Sequence, residues 1–313
     1  FCVTAAAPAR RYNKDMSTTP APAAADAAAA SAVRTVIHNV VHLRAKTTNS
    51  SELVSQTLMG RTVRVLESDG AWSYVETDDT YRGWAETRWL GDPATAPLTP
   101  VTAVFAELRE TPRASAPLVQ RLPVLASVHV TLPRSTREEW VSVTLADGTT
   151  HGWLPAAAVA PLPHVPADLI GPTAAGRTRD FLGTPYLWGG SSSFGLDCSG
   201  LVQLCYRLVG VTLRRDADIQ RDDPRFAPVP VRDVARAGED LTPGDLVFFG
   251  KPDRITHVGM HYEGNTFIHS AGGAGVIVTE WGDDRYSPSF VDARRLIPGR
   301  AADPVTRVEA ENR

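Results

Sequence analysis

The chain has 313 residues, 43% hydrophobic and 21% charged, with a formal net charge of −3. It is long enough for two or three domains, each with its own core. The charge balance gives no electrostatic case for nucleic acid or an anionic membrane surface, and no apolar run approaches the roughly 20 residues that span a bilayer.

Residues 1–32 are rich in Ala, Pro, Ser and Thr, with the run Pro20-Ala21-Pro22-Ala23-Ala24-Ala25, and read as a flexible tail that cannot bury a core. Nothing before Met16 has the lysine- or arginine-led apolar core of a signal peptide. A start at Met16 fits the cytoplasm, whereas a removed upstream signal fits the cell envelope or secretion.

Two segments then repeat one another, over 33–95 and 96–162. The first carries His42-Leu43-Arg44, Leu53-Val54, Trp72-Ser73-Tyr74-Val75 and Gly83-Trp84. The second carries Glu107-Leu108-Arg109, Leu118-Val119, Trp140-Val141-Ser142-Val143 and Gly152-Trp153. Short alternating strands separated by polar turns predict small β-barrels, each closed by a short strand (85–90 and 154–159). The pair resembles bacterial SH3-like domains, and Trp84 and Trp153 are expected to fill the two barrel cores.

Pro161-Leu162-Pro163 marks the next boundary. A helical pattern over 169–182 runs into Gly183-Thr184-Pro185. A second helix begins at Cys198, buries Leu201, Val202, Leu204, Cys205 and Leu208, and stops at Gly210. Strands follow over 245–249, 256–262, 266–270 and 276–280. Helices followed by an antiparallel meander make residues 163–300 an α+β domain; residues 301–313 form a C-terminal tail.

Three cysteines, Cys2, Cys198 and Cys205, make neither a disulfide framework nor a paired zinc pattern. Cys198 and Cys205 are about 10 Å apart along their helix, too far for a bond. Cys205 reads as a small buried apolar residue, and Cys2 lies in the tail. Cys198 stands at a helix start, where unpaired N–H groups and the helix dipole favour a thiolate.

A cysteine nucleophile needs a base and a group to orient that base. His257 lies on the strand Ile255-Thr256-His257-Val258-Gly259-Met260, and Glu263-Gly264-Asn265 turns the chain back through Phe267-Ile268-His269-Ser270. A tight hairpin puts His257 and His269 on one face within about one register step. His261 shares that parity but lies about 13 Å along the strand, at the rim or surface. The triad is Cys198 as nucleophile, His257 as base and then acid, and His269 as orienting group. Taken singly, a Cys at a helix start reads as inert and a strand His as a core or surface residue; zinc on the same three side chains is a second possibility, without an accompanying Cys-x-x-Cys or helical His-x-x-x-His.

An ordered set resembles the NlpC-type (NlpC/p60) family of papain-like cell-wall cysteine peptidases over residues 165–297. It comprises Pro185-Tyr186-Leu187-Trp188-Gly189-Gly190, Gly195-Leu196-Asp197-Cys198-Ser199-Gly200, Gly244-Asp245-Leu246-Val247-Phe248-Phe249, His257-Val258-Gly259 and Ile268-His269-Ser270. The resemblance implies these three catalytic roles and cleavage of the γ-D-glutamyl–diamino acid bond in peptidoglycan stem peptides, with no metal or organic cofactor. The backbone N–H of Cys198 is the candidate oxyanion donor, supported by the Tyr186 hydroxyl.

Family members with two SH3-like domains often use the first to wall off the cleft, admitting short peptides with a free L-alanine amine. A buried ammonium needs carboxylates and acceptors around it. The resemblance gives Glu52, Tyr81 and Asp197 that role, puts Trp188 on the substrate side chain and Ser199 in a polar contact. One departure is Arg215-Asp216-Ala217-Asp218, where relatives carry serine at the position of Ala217; Asp216 or Asp218 could replace it. The expected partners are thus L-Ala-γ-D-Glu-diamino acid peptides, in murein peptide recycling. The alternatives are a hydrolase of intact wall anchored by its SH3-like domains, a transferase on the same thiol, and a non-catalytic wall-binding protein.

Overall fold

A computed structural model describes residues 32–131 and 139–302. Most of the N-terminal tail with Cys2, and the C-terminal tail from 303, lie outside the described residues. β-Branched and aromatic residues at alternating positions form seven short strands in the first segment. These are β1 (Val33–Val36), β2 (Val40–Arg44), β3 (Leu53–Leu58), β4 (Thr62–Asp69), β5 (Trp72–Glu76), β6 (Arg82–Glu86) and β7 (Leu90–Gly91). They pair in the order β3-β2-β6-β5-β4-β1-β7.

The second segment supplies β8 (Thr99–Pro100), β9 (Phe105–Arg109), β10 (Leu118–Pro123), β11 (Ser127–Val130), β12 (Trp140–Thr144) and β13 (His151–Pro155). Their order, β10-β9-β13-β12-β11-β8, is that of β3-β2-β6-β5-β4-β1. The sequence repeat is therefore a repeat of topology, and it reaches single contacts. Arg44 pairs in register with Trp84 and Arg109 with Trp153. Each arginine donates from Nη1 over 2.9 Å to the carbonyl seven residues on, Ser51 or Ala116.

Trp84 and Trp153 do not fill the cores. The strand period of two turns Gly83 and Ala85, and Gly152 and Leu154, inward, so each tryptophan faces outward and is half-buried. Trp84 instead packs on Tyr74 at 5.1 Å between ring centroids. The glycines are needed where they are: a Cβ on Gly83 would lie 2.9 Å from Leu43 Cβ, and one on Gly152 2.8 Å from Leu108 Cγ. Each expected closing strand starts as the end of β6 or β13 and is then interrupted by a 3-10 turn, Thr87–Trp89 or Ala156–Ala158. Pairing resumes after it, at β7 and at a bridge from Val159 to Val101.

The third part opens with α1 (Ile170–Thr178), then the ribbon β14 (Ser191–Ser192) and β15 (Gly195–Leu196), α2 (Cys198–Leu208) and α3 (Ala217–Arg221). The strands β16 (Phe226–Val229), β17 (Leu246–Lys251), β18 (Arg254–His261), β19 (Thr266–Ala271), β20 (Gly275–Glu280) and β21 (Phe290–Leu296) follow. They form one antiparallel sheet, β16-β21-β17-β18-β19-β20, giving the α+β class expected; β16 and β21 were not foreseen.

Alternation divides the sheet into two faces. Leu246, Phe248, Val258, Met260 and Ile268 face a core shared with Leu201, Val202, Cys205 and Tyr206 of α2. Val247, Phe249, Phe267, Trp281 and Ala293 make a second, aromatic core on the other face. Leu58 from the first SH3-like domain, and Val124 and Leu125 from the second, join the α2 core. His261 belongs inside too: it is 2% exposed, with Trp281 Nε1 at 3.5 Å from its Nδ1. The expected rim position is corrected because Trp281, after β20, covers that end of β18.

Candidate active site

Cys198 is the first residue of α2, and Asp197 is its N-cap, accepting from Gly200 N–H at 2.7 Å. This satisfies one of the donors that a helix start leaves open. Ser270 Oγ on β19 donates to Leu196 O at 2.7 Å, fixing the segment before the thiol against the histidine sheet. Backbone N–H groups of Val258 and Ser199 reach the thiol. The sulfur therefore lies against the backbone of β18, at the residue that follows His257.

The hairpin of β18 and β19 has the register expected, with Met260 opposite Ile268. His269 consequently lies diagonal to His257, and His257 Nε2 is 2.8 Å from His269 Nδ1. His269 Nε2 is in turn 2.9 Å from Thr279 Oγ1 on β20. Tyr286 stacks on His257 (5.6 Å, 29°) and meets His269 edge-on (4.5 Å, 77°). Phe249 and Phe267 supply aromatic contacts to His257 and His269 respectively.

Burial pushes the Cys198 thiol up to about 12 and the neighbouring Asp197 adds to the rise; the Val258 amide, Arg215 and the Ser199 amide oppose it. The helix start thus does not by itself yield a thiolate, because desolvation of the charged form outweighs it. Burial likewise holds His257 down to about 4, with Asp197 opposing and Arg285 assisting. His269 is driven to about 3 by burial, then by His257 and Arg285. Burial thus favours the uncharged forms of the thiol and of both imidazoles.

Asp197 and Ser199, expected to face substrate, face inward. Asp197 accepts two hydrogen bonds from Arg215, one from Gly189 N–H and one from Gly200 N–H. Ser199 Oγ accepts from Arg215 at 2.7 Å and donates to Asp197 at 3.3 Å. Arg215, 1% exposed, also donates to Ser55 Oγ on β3 at 3.2 Å. A buried arginine next to the aspartates had no local signal that separated it from a surface cation.

The first SH3-like domain reaches this region at several points. Glu52 Oε1 accepts from Trp188 Nε1 at 2.8 Å, so two residues assigned to substrate meet across the boundary. Tyr81 donates its hydroxyl to Asp216. Asp216 is the N-cap of α3 but makes no side-chain cap bond, which frees its carboxylate for Tyr81. Burial raises Asp216 to about 6, Arg215 and Tyr81 opposing. Ala217 is buried and Asp218 exposed. Gln203 on α2 donates to Asp79 at 2.6 Å. Tyr186 is half-buried and within electrostatic reach of Cys198, and burial raises its hydroxyl. Among the described residues, no group of three or more His, Cys, Asp and Glu is arranged to hold a metal ion, and no helix is long and apolar enough to cross a membrane.

Two SH3-like domains ahead of this α+β domain define a papain-like hydrolase. The family model described as NlpC/P60 matches residues 183–295, and that described as the bacterial dipeptidyl-peptidase SH3 domain matches 43–90. The chain belongs to the NlpC/P60 family. It is 28% identical over 278 residues to a gamma-D-glutamyl-L-lysine dipeptidyl-peptidase of Bacillus cereus, covering 80% of this chain and 77% of that one. A probable endopeptidase NlpC of Escherichia coli is 35% identical over 127 residues, 38% of this chain and 74% of that protein. The solved structure of an NlpC/P60 family protein from Bacillus cereus superposes with a TM-score of 0.69 at 22% identity, over 85% of this chain and 100% of that one. It shares the fold.

Proposed function

We propose that the protein is a cysteine peptidase that hydrolyses the γ-D-glutamyl–diamino acid bond of peptidoglycan stem peptides. Its substrates are short peptides with a free N-terminal L-alanine, as in murein peptide recycling. One observation carries the chemistry: the strand whose Val258 N–H meets the sulfur at the capped helix start also bears His257, hydrogen-bonded through Nε2 to a second imidazole at 2.8 Å.

His257 Nδ1, the nitrogen not engaged by His269, takes the thiol proton as Sγ attacks the γ-carbonyl carbon of D-glutamate. The N–H of Cys198, which has no intrahelical partner, and the Tyr186 hydroxyl donate to the developing oxyanion. The C–N bond breaks as His257 passes its proton to the leaving amine, and a thioester remains. Water then attacks the thioester, giving its proton to His257; the acid departs and Sγ regains the proton. His269 orients the base throughout, and Asp197 and Ser199 act on the nucleophile helix through Arg215 rather than on substrate.

The name of the Bacillus cereus relative supports the bond assignment. The free-amine preference is supported by Glu52 and Tyr81, which the first SH3-like domain brings to Trp188 and Asp216. These carboxylates and acceptors suit an ammonium, and Trp188 offers its exposed ring to the peptide.

Hydrolysis of L-Ala-γ-D-Glu-meso-diaminopimelate, beside its N-acetylated form, tests this with wild type and Cys198→Ala. Cleavage of the free-amine peptide alone, abolished by Cys198→Ala, is expected. Equal cleavage of both peptides retains the peptidase and removes the amine role of Glu52 and Tyr81. Cleavage of intact sacculi but of neither peptide overturns the recycling reading.

A further inference from the structure

The hydrogen-bond line from His257 through His269 ends on Thr279, a residue with no role so far. His269 is 0% exposed and both its nitrogens are engaged, Nδ1 with His257 Nε2 at 2.8 Å and Nε2 with Thr279 Oγ1 at 2.9 Å. A neutral imidazole carries one ring proton, so two proton arrangements can run along the line. In the first, Thr279 Oγ1 accepts from His269 Nε2–H and His269 Nδ1 accepts from His257 Nε2–H. His257 Nδ1 then keeps its lone pair. In the second, the Thr279 hydroxyl donates to His269 Nε2 and His269 Nδ1–H donates to His257 Nε2. The His257 proton then sits on Nδ1, which cannot take another from the thiol.

We infer that Thr279 is a positioning residue that keeps His269 and His257 in the base-competent tautomers by accepting from His269 Nε2–H. The inference deepens the peptidase reading above and rests on it. Thr279 is half-buried on β20, the edge strand of its sheet, so its own hydroxyl proton can be given to water while its oxygen accepts. The threonine also lies in register with Phe267, whose ring packs on His269 at 5.0 Å; the backbone ladder therefore sets the position of the hydroxyl.

Thr279→Val keeps the shape and removes the acceptor. The first arrangement then buries an N–H with no partner, whereas the second leaves only an unused nitrogen lone pair. Orphaned buried N–H groups are the more strongly avoided, so valine shifts the pair to the tautomers that disable His257. Thr279→Ser restores the acceptor.

The test combines steady-state hydrolysis of the free-amine tripeptide, thermal unfolding and 15N NMR of the histidine rings in wild type, Thr279→Val and Thr279→Ser. In Thr279→Val, kcat is expected to fall about 100-fold, as in other wrong-tautomer variants though less severely, with KM nearly unchanged. His257 Nδ1 changes from a pyridine-like to a pyrrole-like shift, and Thr279→Ser recovers both. Wild-type kcat in the valine variant overturns the inference, as does loss of activity with unchanged ring shifts. Should the wild type leave the tripeptide intact, the peptidase reading fails, yet the ring shifts still decide what Thr279 does.

Discussion

Arg215 grips Asp197 at two points, Nη1 to Oδ1 at 2.9 Å and Nη2 to Oδ2 at 2.6 Å, with the arginine wholly buried and the aspartate nearly so. Asp197 caps the helix that begins with Cys198, so an uncompensated carboxylate there would hold the proton on the thiol. The guanidinium offsets that charge and extends to Ser55 on β3. The first SH3-like domain is thereby tied to the ion pair that adjoins the nucleophile.

Arg215→Met keeps an unbranched apolar stem but strands a buried anion. Breaking such a pair from one side costs about 3–5 kcal/mol, so urea unfolding should show a loss of that order. Alkylation of Cys198 by iodoacetamide should slow as well. Arg215→Lys does not restore either, because an ammonium cannot repeat the two-point contact. A loss below about 1 kcal/mol in the methionine variant would mean that the pair is dispensable.

Stability should depend on pH through the two imidazoles. Burial holds His257 at about 4 and His269 at about 3, against 6.5 for an ordinary histidine. Between those values the unfolded chain binds the more protons, so stability is complete above 6.5 and is lost as pH falls through the window. The urea midpoint should drop between pH 7 and pH 5. In His269→Gln, which cannot titrate, the drop should be smaller; parallel curves for the two proteins would rule out the imidazole contribution.

The repeat, the α+β order and the pairing of His257 with His269 were legible because strand period and hairpin register are local properties. The Gly-Trp motif was visible but assigned to the wrong face. The alternation that turns Gly83 and Ala85 inward, and hence Trp84 out, was already present in the sequence. Thr279 was recoverable by continuing the meander one strand further, since Phe267 pairs with Thr279. Arg215 and Tyr286 were not: each acts on residues far away in sequence, and nothing local distinguishes a buried arginine or a stacking tyrosine from its surface counterpart. The inward turn of Asp197 and Ser199 follows from Arg215 and was hidden with it.

Gly189 tests the seam between the first SH3-like domain and the nucleophile. Its φ is +73, and a Cβ there would stand 2.3 Å from the backbone oxygen of Leu53. The collision partner is backbone of β3, which cannot rotate away as a side chain does. Gly189→Ala should therefore cost about 2 kcal/mol or more from conformation and overpacking together. Amide exchange along 53–58 should accelerate and kcat/KM for the tripeptide should fall. Exchange confined to wild-type rates would show that the seam yields without loosening.

Glu52 provides the most selective test of substrate recognition. Its carboxylate is exposed and meets Trp188 Nε1 at 2.8 Å, so Glu52→Gln keeps an acceptor for the indole and leaves stability unchanged. What it removes is a negative charge for the substrate ammonium. A charge-assisted hydrogen bond contributes about 1.5 kcal/mol, or roughly tenfold in affinity. KM for L-Ala-γ-D-Glu-meso-diaminopimelate should rise about tenfold with kcat nearly constant, while any residual rate on the N-acetylated peptide stays the same. Equal losses on both peptides would make Glu52 a support for Trp188 and move amine recognition to Asp216 and Tyr81.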